Sequence, residues 1–449
     1  MAHTSNSLSS TSVIMGMGIT GIACLRFFIA QQHPVCIMDS RIAPANLAMI
    51  QDNYPDIPVF TGGFDCATLC AAKEIIISPG LAADLPELQQ AREAGVPIIS
   101  EIEVFLRHVD APVIAITGSN GKSTVTTLLG DMANNAGLRV GVGGNLGIPA
   151  LDLLTEQAPC DAYILELSSF QLETTYDLSP HASVVLNISE DHMDRYPDLA
   201  AYAQTKARVY QTAKHKVINE DDPCVKAMCQ QDDKSIIRFS TQSDQADFHL
   251  LTKNKKTYLA YQGTALLETE QLYVQGKIMQ ANALAALALA HSLQLPLYSS
   301  LQTLTQFKGL LHRCQWVRNY QGVDWFNDSK GTNVGASIAA IEGLERPKKI
   351  VLIAGGQAKG ADFSPLIQIA QQYLKACIVI GEDAQLIANT LGNSVQLHHA
   401  DSLEAAILQA TTLTQTGDAV LLSPACASFD MFTGYVQRGE AFVQHVQAL

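Results

Sequence analysis

The sequence predicts an α/β protein of three domains: an N-terminal Rossmann-like sheet, a central P-loop-type domain with a small β element, and a C-terminal Rossmann-like domain. Three observations carry that prediction. Short runs of Val, Ile and Leu alternate with helix-like segments along most of the chain, as strands of a parallel sheet covered on both faces do. Glycine turns follow apolar runs at Gly16–Gly21 and again at Gly118–Gly121. A length of 449 residues leaves room for roughly two to four domains. The expected bounds are 1–100, 101–309 and 310–449.

In the first unit, Val13-Ile14-Met15 and Val35-Cys36-Ile37-Met38 read as strands with an apolar helix from Gly21 to Ala30 between them. Glu74 to Ser78 and Val96 to Ser100 add two more strands. The second unit opens with a helix from Glu101 to Val109. It continues with Pro112-Val113-Ile114 as a strand, a helix from Val125 to Ala133, and strands at Ala162–Leu167 and Ala182–Asn187. The segment 240–275 reads as short polar strands, and a helix from Asn282 to Leu293 follows. The third unit carries strands at Lys349–Ala354, Ala376–Ile380 and Asp418–Ser423, each followed by a glycine or Ser-Pro turn and helix-like sequence. This is a second doubly wound pattern.

Composition narrows the function. With 47% hydrophobic and 16% charged residues the chain is that of a compact globular protein. A formal net charge of −14 excludes long-range attraction to nucleic acid or anionic membrane, so an anionic substrate must be met by local Lys and Arg. The ten cysteines include no CxxC pair, which predicts reduced thiols in the cytoplasm. No basic stretch precedes the run Val13–Leu25, and Ile278–Phe307 is interrupted by Gln, Asn, Ser and His; neither predicts a signal peptide or a membrane span.

The segment Thr117-Gly118-Ser119-Asn120-Gly121-Lys122-Ser123-Thr124, between strand and helix, is a phosphate-binding loop. It is shorter than a Walker A loop, which would need a glycine where Ile116 stands. Lys122 is placed to neutralise β/γ-phosphate charge and Ser123 to ligate Mg²⁺. Glu166 ends an apolar strand, as a Mg²⁺ ligand or as a solvated acid. After the strand at 182–187, the run from Glu190 to Asp194 crowds Glu190, Asp191, His192 and Asp194 together, which makes His192 a ligand candidate. Lys206, with Tyr202 and Tyr210 a helical turn either side, reads from the sequence alone as a surface lysine. Gly16-Met17-Gly18-Ile19-Thr20-Gly21 followed by Asp39 matches a dinucleotide fingerprint, although a uridine nucleotide would use the same turn.

Five blocks, taken together and in this order, resemble the Mur ligases of bacterial cell-wall synthesis. They are Thr117–Thr124, Glu166–Glu173, Asn187–Tyr196, Asn327–Asn333 (Asn-Asp-Ser-Lys-Gly-Thr-Asn) and Ser423–Asp430 (Ser-Pro-Ala-Cys-Ala-Ser-Phe-Asp). The resemblance covers essentially the whole chain. It implies ATP-driven amide formation in peptidoglycan precursor synthesis, in which the carboxylate of UDP-N-acetylmuramoyl-L-alanine becomes an acyl phosphate and the amine of D-glutamate displaces phosphate. It implies a cytoplasmic monomer with ATP, Mg²⁺ at two sites and a CO₂-derived carbamate on Lys206.

The implied catalytic residues are Lys122, Glu166, His192 and Lys206, and the implied metal ligands Ser123, Glu166, His192 and carbamylated Lys206. ATP would meet Gly118, Ser119, Asn120, Gly121, Lys122, Ser123, Thr124, Asn282, Arg313, Asp328 and Lys330. The uridine-diphosphate substrate would meet Gly18, Ile19, Thr20, Asp39, Ser40, Arg41, Gly80, Asn145, Ser168, Gln171 and His192. D-glutamate would meet Thr332, Lys359, Ser428, Phe429 and Tyr435.

Three positions depart from the family pattern. Ile278 and Met279 stand where a His-Asn pair is common, Gly331 replaces an Ala and is expected to loosen its loop, and Tyr435 replaces a Phe. The alternatives are a folylpolyglutamate-type or other Mur-type ligase with a different acceptor, an NAD-dependent oxidoreductase using Gly16–Gly21, and a nucleotide-binding regulator without turnover.

Overall fold

A computed structural model describes residues 10–155, 159–230, 232–274, 276–344 and 346–449. Three sheets follow one another along the chain. The first has five parallel strands in the order Val59–Thr61, Val35–Asp39, Ser12–Met15, Glu74–Ile77, Ile98–Ile99. The central strand is 0% exposed at Val13, Ile14 and Met15, which explains its unbroken apolar sequence: helices cover both faces.

The second sheet has nine strands, ordered Thr264–Glu268, Lys256–Tyr261, Phe248–Lys253, Ile236–Ser240, His215–Asn219, Ala182–Val185, Val113–Thr117, Ala162–Glu166, Val140–Gly144. The three strands at its far edge pair antiparallel with one another, while Phe248–Lys253 joins the rest of the sheet in parallel. This is the small β element. The phosphate-loop strand Val113–Thr117 lies between Ala162–Glu166 and Ala182–Val185. The C-terminal ends of those strands therefore bring residues 117–124, 166–168 and 186–192 together, the edge at which parallel α/β sheets bind ligands.

Helix Lys277–Ser292 packs beside helix Lys122–Asn135 and over this sheet. Four of its alanines, Ala283, Ala285, Ala286 and Ala288, are 0% exposed, and small side chains let the helix lie close to its neighbours. It begins a turn and a half earlier than the sequence suggests, so Ile278, Met279 and Asn282 all lie on it.

The third sheet has six strands, ordered Gln315–Tyr320, Val323–Asn327, Ala419–Leu422, Ile350–Gly355, Leu374–Ile380, Gln396–His399. Only the first pair is antiparallel. Among the described residues no helix is long and apolar enough to cross a membrane.

Candidate active site

The loop between strand Val113–Thr117 and helix Lys122–Asn135 turns at Gly121, in the left-handed region (φ 84°). A Cβ there would lie 2.6 Å from Asn282 Oδ1, so glycine serves both the turn and the approach of the neighbouring helix. Lys122 Nζ folds back over the loop and donates to the carbonyls of Gly118 (2.8 Å) and Ser119 (2.9 Å). Burial pulls the Lys122 pKa down, against the Glu166 and Asp191 charges. The loop is braced by Asn187, a residue without an assigned part in the sequence reading. Its Oδ1 accepts from Asn120 N at 2.8 Å and its Nδ2 donates to Asn120 O at 3.1 Å. Ser119 Oγ donates to Ser189 O (2.9 Å), tying the loop to the 187–196 block.

Beside the loop runs a chain of polar contacts. Asn145 Nδ2 donates to Glu166 Oε1 (2.8 Å), Ser123 Oγ donates to Glu166 Oε2 (2.5 Å), and Arg313 Nη2 donates to Ser123 Oγ (2.6 Å). Glu166 is 3% exposed. Its burial opposes ionisation, but Lys122 and the Ser123 and Asn145 contacts outweigh it and hold the carboxyl below its ordinary range. A hydroxyl and a carboxylate this close are hard oxygen donors of the kind Mg²⁺ takes alongside phosphate oxygens. Among the described residues there is no group of three or more His, Cys, Asp or Glu that could hold a metal ion.

Lys206 is not a surface residue: it is 1% exposed. The helix Leu199–Ala207 turns it inward with Tyr202, the only other buried residue of that helix. Its Nζ lies 3.3 Å from Thr117 Oγ1 and 4.7 Å from the centre of the Tyr202 ring. Burial first, and then the Lys122 charge, push its pKa well down. A buried lysine kept from protonating is a nucleophilic amine. His192 sits at φ 58° with its ring 4.7 Å from Phe170 and its Nε2 3.7 Å from Asp191 Oδ2. Its pKa is lowered, chiefly by burial, which leaves a neutral imidazole able to ligate.

The C-terminal domain closes over this edge. Arg313, Asp328 and Lys330 line one cavity of about 690 Å³ together with Asn120, Gly121 and Thr124 of the loop. Asn333 Nδ2 donates to Asp191 Oδ2 (3.2 Å) across the same boundary. Lys330 Nζ rests 4.0 Å over the Tyr435 ring, and burial lowers its pKa to about 8. Burial raises Asp328 to about 6, against hydrogen bonds from Ser423 and Cys314. The Gly331 backbone is tied into its loop. Its N–H donates to Asp328 O (2.8 Å) and its carbonyl accepts from Ala425 N (2.9 Å), and a Cβ would press within 2.5 Å of Asp328 Oδ2.

Thr332 is half-buried, Ser428 is buried, and Lys359 and Phe429 are exposed, with Lys359 Nζ 5.7 Å from the Phe429 ring. Cys426 is buried and its thiol is pushed up to about 12, so it is no nucleophile.

In the first domain Asp39 is not free to grip a ribose. Its Oδ1 accepts from Arg41 N and Nε and its Oδ2 from Met17 N and Arg41 Nη2, which holds the carboxyl down to about 2. Gly18, Ile19, Ser40 and Arg41 are exposed around that pair, with Thr20 half-buried. Gly80 follows Pro79, whose carbonyl accepts from Arg195 of the middle domain (3.2 Å). Gln171 Oε1 is engaged by Ser168 N (2.9 Å) and Ser168 Oγ (3.0 Å) as its helix's capping box.

Three family models match this chain: the Mur ligase MurD-like N-terminal domain over residues 10–100, the Mur ligase middle domain over 116–290, and the Mur ligase glutamate ligase domain over 312–426. The chain is 48% identical over 443 residues to a UDP-N-acetylmuramoylalanine–D-glutamate ligase of Nitrosococcus oceani, covering 98% of this chain and 97% of that protein. It is 46% identical over 446 residues to the ligase of the same name from Coxiella burnetii, covering 99% and 100%. Among solved structures, a pseudomurein peptide ligase type C from Methanothermus fervidus superposes with a TM-score of 0.63 at 18% identity, over 97% of this chain and all of that one. A Thermotoga maritima MurF ligase in complex with ADP gives 0.59 at 17% identity, over 99% and 97%; both share the fold. With three consecutive domain models matched and near half of its residues shared with such ligases along almost its whole length, the chain belongs to the Mur ligase family.

Proposed function

We propose that this protein is an ATP-dependent ligase that joins D-glutamate to UDP-N-acetylmuramoyl-L-alanine in peptidoglycan precursor synthesis. The observation that carries the reading is convergence on one cavity. Asn120, Gly121 and Thr124 of the phosphate loop meet Arg313 and Lys330 of the C-terminal domain there, and Arg313 reaches on to Ser123, which donates to Glu166, in a chain 48% identical to ligases of that name.

The chemistry asks for positioning and charge neutralisation rather than an enzyme nucleophile. A carboxylate oxygen of the alanyl group attacks the γ-phosphorus of ATP, the bond to the bridging oxygen breaks, and ADP leaves. The D-glutamate amine then attacks the acyl carbon, loses a proton, and phosphate departs. Lys122 would hold the β/γ-phosphates, releasing Gly118 O and Ser119 O to do so, while Arg313 and Lys330 would meet the same charge from the other domain. Bound Mg²⁺ would supply further charge to the phosphate oxygens, with Ser123 and Glu166 holding one ion and His192 and carbamylated Lys206 the other. Asn145 and Ser168 would lie along the acyl arm, with Gln171 acting through its cap on Ser168. Arg41, oriented by Asp39, would meet the uridine diphosphate with Gly18, Ile19, Thr20, Ser40 and Gly80. Thr332, Lys359, Ser428, Phe429 and Tyr435 would take D-glutamate. A cytoplasmic monomer suffices for all of this.

The test is phosphate release from ATP with UDP-N-acetylmuramoyl-L-alanine and a panel of amino acids. Release that depends on D-glutamate is expected; release indifferent to it would sink this acceptor and favour another Mur-type ligase.

A further inference from the structure

The cavity that joins the middle and C-terminal domains changes character along its length. At one end are the polar loop residues Asn120, Gly121 and Thr124 with Arg313 and Lys330. Asn282 abuts that end, against Gly121. Four residues toward the N-terminus of the same helix, about 6 Å along its axis, is Ile278, whose side chain faces Gly343 of the C-terminal domain. The rest of the lining includes Tyr273, Val274, Met279, Leu311, Leu344 and Trp316, together with Lys308, Gln315 and Arg346, of which Gln315 is engaged by Asn327 and Arg346 by Asp324.

A nucleotide anchored by its phosphates on the loop would direct its base toward this mostly apolar end. The two rim aromatics are open: Tyr273 is 61% and Trp316 57% exposed. The indole is held by its edge, with Nε1 donating to Asp324 Oδ1 (3.3 Å). Arg346 Nη2 fixes the other oxygen of that carboxylate at 2.6 Å. The face of the ring is left unpaired with any other aromatic ring among the described residues.

We propose that Trp316 is a nucleobase-binding residue that stacks on the purine, and that this slot reads the base by stacking and shape rather than by its hydrogen-bonding edge. The inference rests on the ATP-dependent reading above. An apolar slot discriminates weakly between bases of similar shape, whereas a site built of paired donors and acceptors rejects the wrong partner by orders of magnitude. With Ile278 and Met279 at the base end of the helix, Asn282 supplies the only amide side chain of that helix lining the cavity. GTP is therefore expected to support turnover within about tenfold of ATP in kcat/KM, and pyrimidine nucleotides, with less ring to stack, to be poorer.

The experiment uses intrinsic fluorescence, calorimetry and turnover on the full chain. The protein has two tryptophans, and Trp325 is 0% exposed, so a nucleotide-dependent change reports Trp316. Saturating ADP should quench the emission, and inorganic tripolyphosphate, which fills only the phosphate end, should not. Trp316→Leu, which keeps apolar area and loses the ring, should weaken ADP about tenfold or more and leave tripolyphosphate affinity unchanged. Calorimetric ADP binding without quenching, an unchanged ADP affinity in Trp316→Leu, or rejection of GTP by about a thousandfold would each overturn the proposal while the ligase reading stands. Absence of ADP binding together with absence of phosphate release would bring down both.

Discussion

Arg313 of the C-terminal domain donates from Nη2 to Ser123 Oγ of the phosphate loop at 2.6 Å, and that same hydroxyl donates to Glu166 at 2.5 Å. One serine thus joins the guanidinium to the carboxylate across a domain boundary. It is also the hydroxyl offered to a metal ion, so nucleotide and ion must exchange these contacts as they bind. Arg313→Ala is expected to lower kcat/KM for ATP by about 100-fold, the usual cost of removing one preorganised charge donor. Arg313→Lys should recover part of it, because a point charge replaces only some of a planar fork. Steady-state kinetics at varied ATP checks this; an Arg313→Ala enzyme with wild-type kcat/KM removes the residue from the reaction.

Lys206 gives a second expectation. An amine that is 1% exposed and depressed by burial and the Lys122 charge is in the neutral form that reacts with CO₂. Lys206→Ala should lose activity by at least about 100-fold, if a bound charge-stabilising group goes with it. Millimolar acetate or propionate should restore part of the loss by supplying the missing oxygens. Beyond its packing, a neutral amine with one hydrogen bond, to Thr117, contributes little to the fold, and chemical denaturation of the variant separates lost chemistry from lost stability. An unimpaired variant would leave Lys206 without a part in the chemistry.

The same residue shows where sequence runs out. The helix Leu199–Ala207 has little apolar periodicity, so nothing in Leu-Ala-Ala-Tyr-Ala-Gln-Thr-Lys-Ala says that Lys206 faces inward; the family resemblance alone singled it out. Central strands such as Ile350–Gly355, buried at every position, announce themselves because both faces need apolar side chains. The polar strand His215–Asn219 and the edge strands Val59–Thr61 and Gln396–His399 do not, being carried by their neighbours' pairing rather than by their own pattern. The phosphate loop was legible because its function lies in backbone spacing. The contacts that assemble the site, Asn187 to Asn120 and Arg313 to Ser123, join residues far apart in sequence and had no local signal.

Glu101 opens a helix, and it is 2% exposed and accepts from Leu151 N at 2.7 Å. Burial raises its pKa to about 7, with the nearby Asp152 charge adding to the effect. The folded state therefore holds its proton more tightly than the unfolded chain. The stabilisation is fully present below the unfolded value near 4.5 and is lost as pH rises through about 7, a change of roughly 3 kcal/mol at most. Glu101→Gln keeps the acceptor and cannot ionise. Urea denaturation at pH 5.5 and 8.5 should show the variant losing less stability than wild type over that interval; equal losses would mean that Glu101 does not titrate there.

Arg438 is 1% exposed on the C-terminal helix, and its partners are oxygens without formal charge. Nε donates to Ser329 Oγ (3.0 Å), and Nη2 to Ser329 O (2.9 Å) and Cys426 O (3.1 Å), with longer contacts from Nη1 to Gly355 O and Ala427 O. Ser329 belongs to the loop that carries Lys330 and Thr332, Cys426 and Ala427 to the one that carries Ser428, and Gly355 ends the strand Ile350–Gly355. A single guanidinium therefore sets the spacing between them, and burial lowers its pKa to about 10. Arg438→Met would strand several buried carbonyls, at a cost of about 3 kcal/mol. It should also raise the KM for D-glutamate at temperatures where the variant is still folded. Arg438→Lys keeps a donor but cannot span both loops, so it should recover stability more than acceptor affinity. Chemical denaturation and D-glutamate titrations on both variants decide the matter. A methionine variant with wild-type stability and KM would show that the two loops hold their spacing without the guanidinium.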